Sequence, residues 1–222
     1  GILGLIGWAY LTACAIFLVF RRNVAALMGM LGLLIAWYEA GTAGGLSPVL
    51  DPIHQWVYTP TQIASHGAIV VAGMIAGIWA TGGGGAETPR SRLVHFVVFG
   101  AGLLAAGYLF RSLHGFHKND ATESWVLASS GWTLLVYALF YFLMDMRGWQ
   151  RWATIFQPAG RNPLLAYIFP SIIIYFLIAM FDFKVWEYLN TGIIGIIHSV
   201  VFAALIMGLT AAANRAGVLL RF

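Results

Sequence analysis

An all-α, polytopic transmembrane helix bundle of about seven spans is the fold class this sequence predicts, and three observations carry it. First, the 222 residues are 60% hydrophobic and only 9% charged, with a mean hydropathy of +0.83. A soluble domain carries about 25% charged residues. A chain this apolar would expose more apolar surface to water than a soluble protein tolerates. Second, the apolar residues gather in seven blocks. Each approaches the roughly 20 residues that a helix needs to cross hydrocarbon, and each is too long for a barrel strand of about 10. Third, nearly all charge falls between the blocks.

The blocks are Ile2–Phe20, Val24–Ala40, Ile63–Ala80, Leu93–Phe110, Trp125–Met144, Pro163–Phe181 and Thr191–Asn214. Arg21 and Arg22 follow the first, Arg90 and Arg92 the third, Arg147, Arg151 and Arg161 the fifth, and Arg215 and Arg221 the seventh. Those are nine of the 12 Lys and Arg residues; Arg111, Lys118 and Lys184 fall on the other side, with Glu39, Asp51, Asp120, Glu123, Asp182 and Glu187. Cytoplasmic loops are the basic ones. The amino terminus is therefore expected outside and the carboxyl terminus in the cytoplasm. The net charge of +4 is read as this orientation signal, not as a nucleic-acid footprint.

Taken in order, the first block starts at Gly1 with no basic region before it, so it does not read as a signal peptide. The sequence reads as one transmembrane domain over 1–222, trimmed, processed or cut from something longer. Cys14, the one cysteine, lies in an apolar run and cannot form an internal disulfide. Between the second and third blocks, Gly41–Gln62 is expected to be re-entrant or interfacial. Its Asp51 and His54 have the spacing to share a helix face. In the third block, Gly73 and Gly77 form a G-x-x-x-G pair, and Gly4/Gly7 and Gly192/Gly195 are similar small-residue pairs at a spacing of three. Such pairs favour close helix packing. His66 lies at the outer end of this block beside Gln62 and Ser65. Gly82–Gly85 reads as a flexible linker, because adjacent glycines have little intrinsic geometry. His95 is expected at an interface. Trp125, Trp149, Trp152 and Trp186 fall where aromatic-belt anchors belong.

The densest polar run is Arg111 to Ser124, between the fourth and fifth blocks. It is either a solvated loop or a polar mouth for an anionic or sugar-like ligand. In a mouth, Arg111 and Lys118 would hold phosphate or carboxylate. His114 or His117 would move protons near neutral pH. Zinc is not expected, because His114-x-x-His117 lacks a third ligand. Asn162 before Pro163 suits an N-cap and first-turn proline; an anion at that helix start would lie near Arg161. Pro170 should kink the sixth block. His198 is an ionisable residue inside the seventh, beside Ser199.

The run His117-Lys118-Asn119, Ser124-Trp125, Ser129-Ser130-Gly131, Tyr141, Asp145 and Gly160-Arg161-Asn162-Pro163-Leu164-Leu165-Ala166-Tyr167 resembles the carboxyl-terminal half of the heparan-α-glucosaminide N-acetyltransferase family and its bacterial relatives. The opening Gly1-Ile2-Leu3-Gly4-Leu5-Ile6-Gly7-Trp8-Ala9-Tyr10-Leu11 is also similar to the start of a middle span there. The resemblance implies about eleven spans in the whole protein, of which these are the last seven. It implies acetyl transfer across a membrane from cytoplasmic acetyl-CoA to an amino sugar. Arg111, His114, His117, Lys118, Asn119 and His66 are then expected at the acceptor. Arg161 and Asn162 are expected at the acetyl-CoA phosphates, with no metal. The family's catalytic histidine lies in amino-terminal spans, so none of the six histidines here inherits that role. Partners are the lipid bilayer of a bacterial inner membrane and other membrane helices, not nucleic acid. Two other functions compete: a non-catalytic accessory or scaffold subunit of a larger membrane complex, and a transporter, for which inverted repeats are lacking.

Overall fold

The computed structural model describes residues 2–44, 52, 56–181 and 191–219. Asp51 and His54, the acid–base pair of the second loop, lie outside the described residues, as do Asp182, Lys184, Trp186, Glu187 and Arg221. Among the described residues every regular element is helical. The helices are α1 (Ile2–Phe20), α2 (Val24–Thr42), α3 (His66–Ala80, entered through a π-helical turn at Pro60–Ser65), α4 (Pro89–His114), α5 (Glu123–Phe140, continued by a π-helical turn at Tyr141–Met146), a 3-10 turn at Arg151–Phe156, α6 (Gln157–Arg161), α7 (Pro163–Phe181) and α8 (Gly192–Arg215).

Among the described residues, five helical stretches are long and apolar enough to cross a membrane: Val24–Thr42, Pro60–Ala80, Pro89–His114, Glu123–Met146 and Gly192–Arg215. Gly4–Phe20 and Pro163–Ile174 are shorter apolar helices. The chain is thus an all-α integral membrane protein, and each of the seven apolar blocks is occupied by a helix. The helices overrun the apolar blocks at their polar ends. Thr88 caps α4, its side-chain oxygen accepting from Ser91 N at 3.1 Å, with Pro89 in the first turn. Arg111 and His114 form the last turn of α4 instead of opening a loop.

Contacts divide the chain into two compact units, Gly1–Gly148 and Trp149–Phe222. The first unit packs Leu27, Leu31 and Leu34 of α2, Val71, Ile75 and Trp79 of α3, and Phe96 of α4 into one core, with Val126 and Leu134 of α5. Its closest helix contact is α4 on α5. A Cβ on Gly107 would come within 2.6 Å of Ala128 N, and one on Gly131 within 2.7 Å of Gly100 O. Only glycine lets two backbones approach so far. The pairs Gly73/Gly77 and Gly4/Gly7 do not have this role: a Cβ on any of the four would meet nothing within 4 Å.

The Gly82–Gly85 segment is a folded loop, which corrects the linker expectation. Gly82, Gly84 and Gly85 take φ of 82°, 62° and 84°, conformations that glycine adopts without steric cost. Arg92 reaches back, donating from Nε to Ala86 O at 3.0 Å and from Nη2 to Glu87 O at 3.3 Å. Ser91 Oγ donates to Gly85 O at 2.8 Å. The adjacent glycines permit the turn, and downstream polar side chains close it.

In the second unit, α7 continues through Pro170 as one helix. Asn162 is fully buried. Its Nδ2 donates to Asn214 Oδ1 at 3.0 Å and to Val218 O at 2.9 Å, while Asn214 Nδ2 donates to Pro158 O at 2.9 Å. These amides tie α6 and the start of α7 to the end of α8.

Candidate functional site

Three helix ends of the first unit meet at one place. The last turn of α2 brings Tyr38 and Glu39, the last turn of α4 brings His114, and the first residue of α5 is Glu123. Helix ends carry partial charge, negative at the carboxyl end and positive at the amino end. Glu123 sits at an amino end, where an anion is favoured. His114 sits at a carboxyl end, where a cation is favoured. Glu39, in contrast, is an acid on the last turn of its helix, against the dipole.

The connection between α4 and α5 fixes this arrangement. Gly115 caps α4, its N–H donating to Arg111 O at 2.9 Å. Thr122 Oγ1 donates to Gly115 O at 2.8 Å and accepts from His117 N at 3.1 Å and Trp125 N at 3.4 Å. Ser124 Oγ also donates to Gly115 O. Ala121, fully buried, takes a left-handed φ of 49°, which costs a non-glycine residue about 1–2 kcal/mol. Ser65, from the turn entering α3, donates to Ala121 O. Tyr38 Oη donates to Asp120 O at 3.3 Å. The loop is therefore tied to α2 and α3 as well as to its own helices.

Within this frame Glu123 is fully buried. Its Oε2 lies 3.1 Å from His114 Nδ1, and Glu39 Oε2 lies 3.8 Å from the same nitrogen. One ligand atom from each of the three residues falls within 4.8 Å of the others. The second oxygens, Glu39 Oε1 and Glu123 Oε1, are buried with no hydrogen-bond partner. Tyr38 closes one flank, its ring edge-on to the imidazole at 6.0 Å. The His114 side chain is 38% exposed, so the cluster opens to the surface along the imidazole.

An ionised carboxylate can only accept a hydrogen bond, which assigns a hydrogen of His114 to Nδ1; in the neutral imidazole the lone pair is then on Nε2. A histidine oriented by a buried acid is competent to take a proton from a bound group. A carboxylate pair with an imidazole is also competent to bind an ammonium group or a metal cation.

The residues expected from sequence divide clearly. His114 belongs to the cluster. Arg111, His117, Lys118 and Asn119 are exposed around it. Arg111 lies over the Phe116 ring at 5.4 Å, and His117 Nδ1 is 4.0 Å from Asp120 Oδ2. His66 is held by its own turn, Nδ1 donating to Thr61 O at 2.6 Å. In the second unit Arg161 is exposed, and the Asn162 amide is taken up by Asn214 and Val218. His198 is stacked on Phe202 beside a cleft of about 570 Å³ that includes Pro170 and Ser199.

Tyr38, Glu39 and Glu123 are the site residues that sequence reasoning missed; Glu123 falls inside the polar run Arg111–Ser124 but is given no role there. A signal for Glu39 existed. It is an acid ending an otherwise apolar helix, where neither hydropathy nor the helix dipole favours it.

Comparison with protein-family profiles, with curated proteins and with solved structures finds no match to this chain.

Proposed function

We propose that the chain is part of a membrane-embedded acyltransferase that moves an acetyl group from acetyl-CoA to an amino-sugar-type acceptor. The observation that carries this reading is the His114–Glu123 pair, a surface-opening imidazole oriented at 3.1 Å by a fully buried carboxylate. The sequence resemblance supplies the reaction class. In this reading the bundle has seven spans, with the amino terminus outside and the carboxyl terminus cytoplasmic. It belongs to a larger bundle in a bacterial inner membrane. The split of basic residues between connectors supports that orientation.

The chemistry follows from the acceptor being an amine. An ammonium ion is not nucleophilic, so the acceptor must lose a proton. Glu39 and Glu123 supply negative charge beside the imidazole, which draws the acceptor in as its ammonium form and strengthens His114 as the base that deprotonates it. The amine nitrogen attacks the thioester carbonyl, and a C–N bond forms as the C–S bond breaks. One ammonium proton leaves to water through the exposed His114 imidazole before attack; the second, released as the C–N bond forms, passes to His114 Nε2 and from there to the leaving thiolate, giving the free thiol. Arg111, His117, Lys118 and Asn119 line the approach for the sugar hydroxyls. At the donor end, exposed Arg161 is the group that meets phosphate. Asn162 acts there by fixing the chain before α7.

The test uses the protein co-expressed with an amino-terminal partner segment, in proteoliposomes, with labelled acetyl-CoA and glucosamine. Removing a positioned base costs about 10²–10⁴-fold in rate. His114→Gln and Glu123→Gln should each lower kcat by roughly that factor. Undiminished transfer in both variants, or none in the wild type, would remove the reading.

A second reading, an accessory or scaffold subunit, is favoured by one observation. A cleft of about 410 Å³ runs along the first unit between α3 and α5, with Gly73, Gly77, Ser130 and Thr133 in its walls. It offers small residues and hydroxyls to a further membrane helix. Stoichiometric co-purification with another membrane enzyme, without acyl transfer, would favour this reading.

A further inference from the structure

We propose that Glu39, His114 and Glu123 form a binding site for a divalent cation of the zinc class. Four observations lead there. First, the donor atoms already have near-ligand spacing. Zinc binds nitrogen and carboxylate oxygen at about 2.0–2.2 Å, so neighbouring ligands of a tetrahedral ion lie about 3.3–3.5 Å apart. The two measured separations from His114 Nδ1, 3.1 and 3.8 Å, bracket that range. For these two pairs about half an ångström of side-chain adjustment reaches it, and the Glu39 and Glu123 oxygens lie within 4.8 Å of each other.

Second, Glu123 is fully buried and its Oε1 has no hydrogen-bond partner. A buried carboxylate is costly unless its charge is met. One imidazole satisfies one of its two oxygens, and the nearby hydroxyls are committed elsewhere. Thr122 and Ser124 donate to Gly115 O, and Ser65 donates to Ala121 O. Third, Glu39 adds a second carboxylate to the same cluster, its Oε1 buried against Glu123. With both carboxylates ionised the cluster carries two negative charges against at most one positive. Fourth, two of the three converging helix ends, those of α2 and α4, are carboxyl ends, which favour a cation.

The donor set selects the class of ion. Imidazole suits zinc and its transition-metal neighbours, whereas magnesium and calcium take oxygen ligands. Three protein ligands leave a fourth position on the exposed side of His114, the arrangement of an open zinc site. The spacing His114-x-x-His117 is not what builds it. The second and third ligands come from α2 and α5, and His117 points to Asp120 instead. This inference does not rest on acyl transfer, because metal binding is read on the chain itself.

The full chain, purified in detergent and stripped with chelator, is titrated with ZnCl₂ by calorimetry. Cobalt(II) is added in parallel to read coordination from its visible spectrum. One equivalent should bind, and cobalt should give the intense bands of a four-coordinate site. Glu39→Gln, Glu123→Gln and His114→Gln should each weaken binding by about 100-fold or more, exceeding what loss of an outer-shell partner costs. His95→Gln and Cys14→Ser should bind as the wild type does. Glu39 is partly exposed, so Glu39→Gln tests the site even if Glu123→Gln fails to fold. No binding by the wild type, or binding unchanged in Glu39→Gln, would overturn the proposal. So would loss of binding in Cys14→Ser.

Discussion

Gly107→Ala tests what holds the site together. The added Cβ would stand 2.6 Å from Ala128 N, 2.9 Å from Ser124 O and 3.0 Å from Ala128 Cα. All three atoms are backbone of α5, so no rotamer change relieves the clash. Ordinary contact requires the helices to part by roughly 0.7 Å, and overpacking of this kind costs about 1–3 kcal/mol. Alanine in place of a mid-helix glycine returns about 0.5–1 kcal/mol. The net loss is about 0–2.5 kcal/mol, a fall in Tm of up to roughly 10 °C for a chain of this length, and relative to Gly102→Ala the loss is the full overpacking cost of about 1–3 kcal/mol. Parting α4 from α5 also separates His114 from Glu123. Stretching their 3.1 Å contact by about 0.7 Å takes it beyond hydrogen-bond distance. Thermal unfolding in detergent reads the first effect, and zinc affinity reads the second. Gly102→Ala on the same helix is the control, because a Cβ there meets nothing within 4 Å. Its Tm should match or exceed that of the wild type. If Gly107→Ala proves as stable as Gly102→Ala, the close contact of α4 with α5 is wrong, and so is the account of how the site is positioned.

Three further outcomes follow from particular bonds. Arg92→Ala removes the donors to Ala86 O and Glu87 O. It should cost about 1.5–3 kcal/mol of local stability, seen as faster amide exchange across Gly82–Glu87. Asn162→Ala removes two donated bonds and strips Asn214 Oδ1 of its partner; a double-mutant cycle with Asn214→Ala should give a coupling of about 0.5–3 kcal/mol. Thr122→Ala removes the cap of α5 and the tie to Gly115, and should lower stability by about 1–2 kcal/mol in thermal unfolding.

The membrane helices were legible because hydrocarbon imposes one simple rule, an apolar run of sufficient length. Their ends were not. Hydropathy places the boundary where charge begins, whereas the backbone continues helical until a cap stops it. So Arg111 and His114 read as loop but close α4, and Glu123 read as loop but opens α5. The glycine pairs show a similar limit. Gly73 and Gly77 have the familiar spacing, yet the close contact uses Gly107 and Gly131. Spacing within one helix says nothing of which face a neighbour covers. The polar run Arg111–Ser124 did point to the right end of the unit. It could not point to Glu39, which is distant in sequence and reaches the cluster only because α2 and α4 end together.

His114 has one Nδ1 and two possible uses for it, and this makes the two proposals testable against each other. As a donor to Glu123, Nδ1 carries the hydrogen and Nε2 accepts the proton of an amine. As a metal ligand, Nδ1 gives its lone pair to the ion, the hydrogen must sit on Nε2, and that atom can no longer accept. The two states exclude one another. Zinc should therefore inhibit acetyl transfer, and a chelator should restore it. Glu39 separates the two uses, since at 3.8 Å its Oε2 is beyond hydrogen-bond distance from His114 Nδ1 yet within reach of a shared ion. Glu39→Gln should shift the zinc inhibition constant upward by about 100-fold, at a smaller cost to kcat than Glu123→Gln. Equal losses of transfer in the two variants, with zinc inhibition intact in Glu39→Gln, would refute this division of roles.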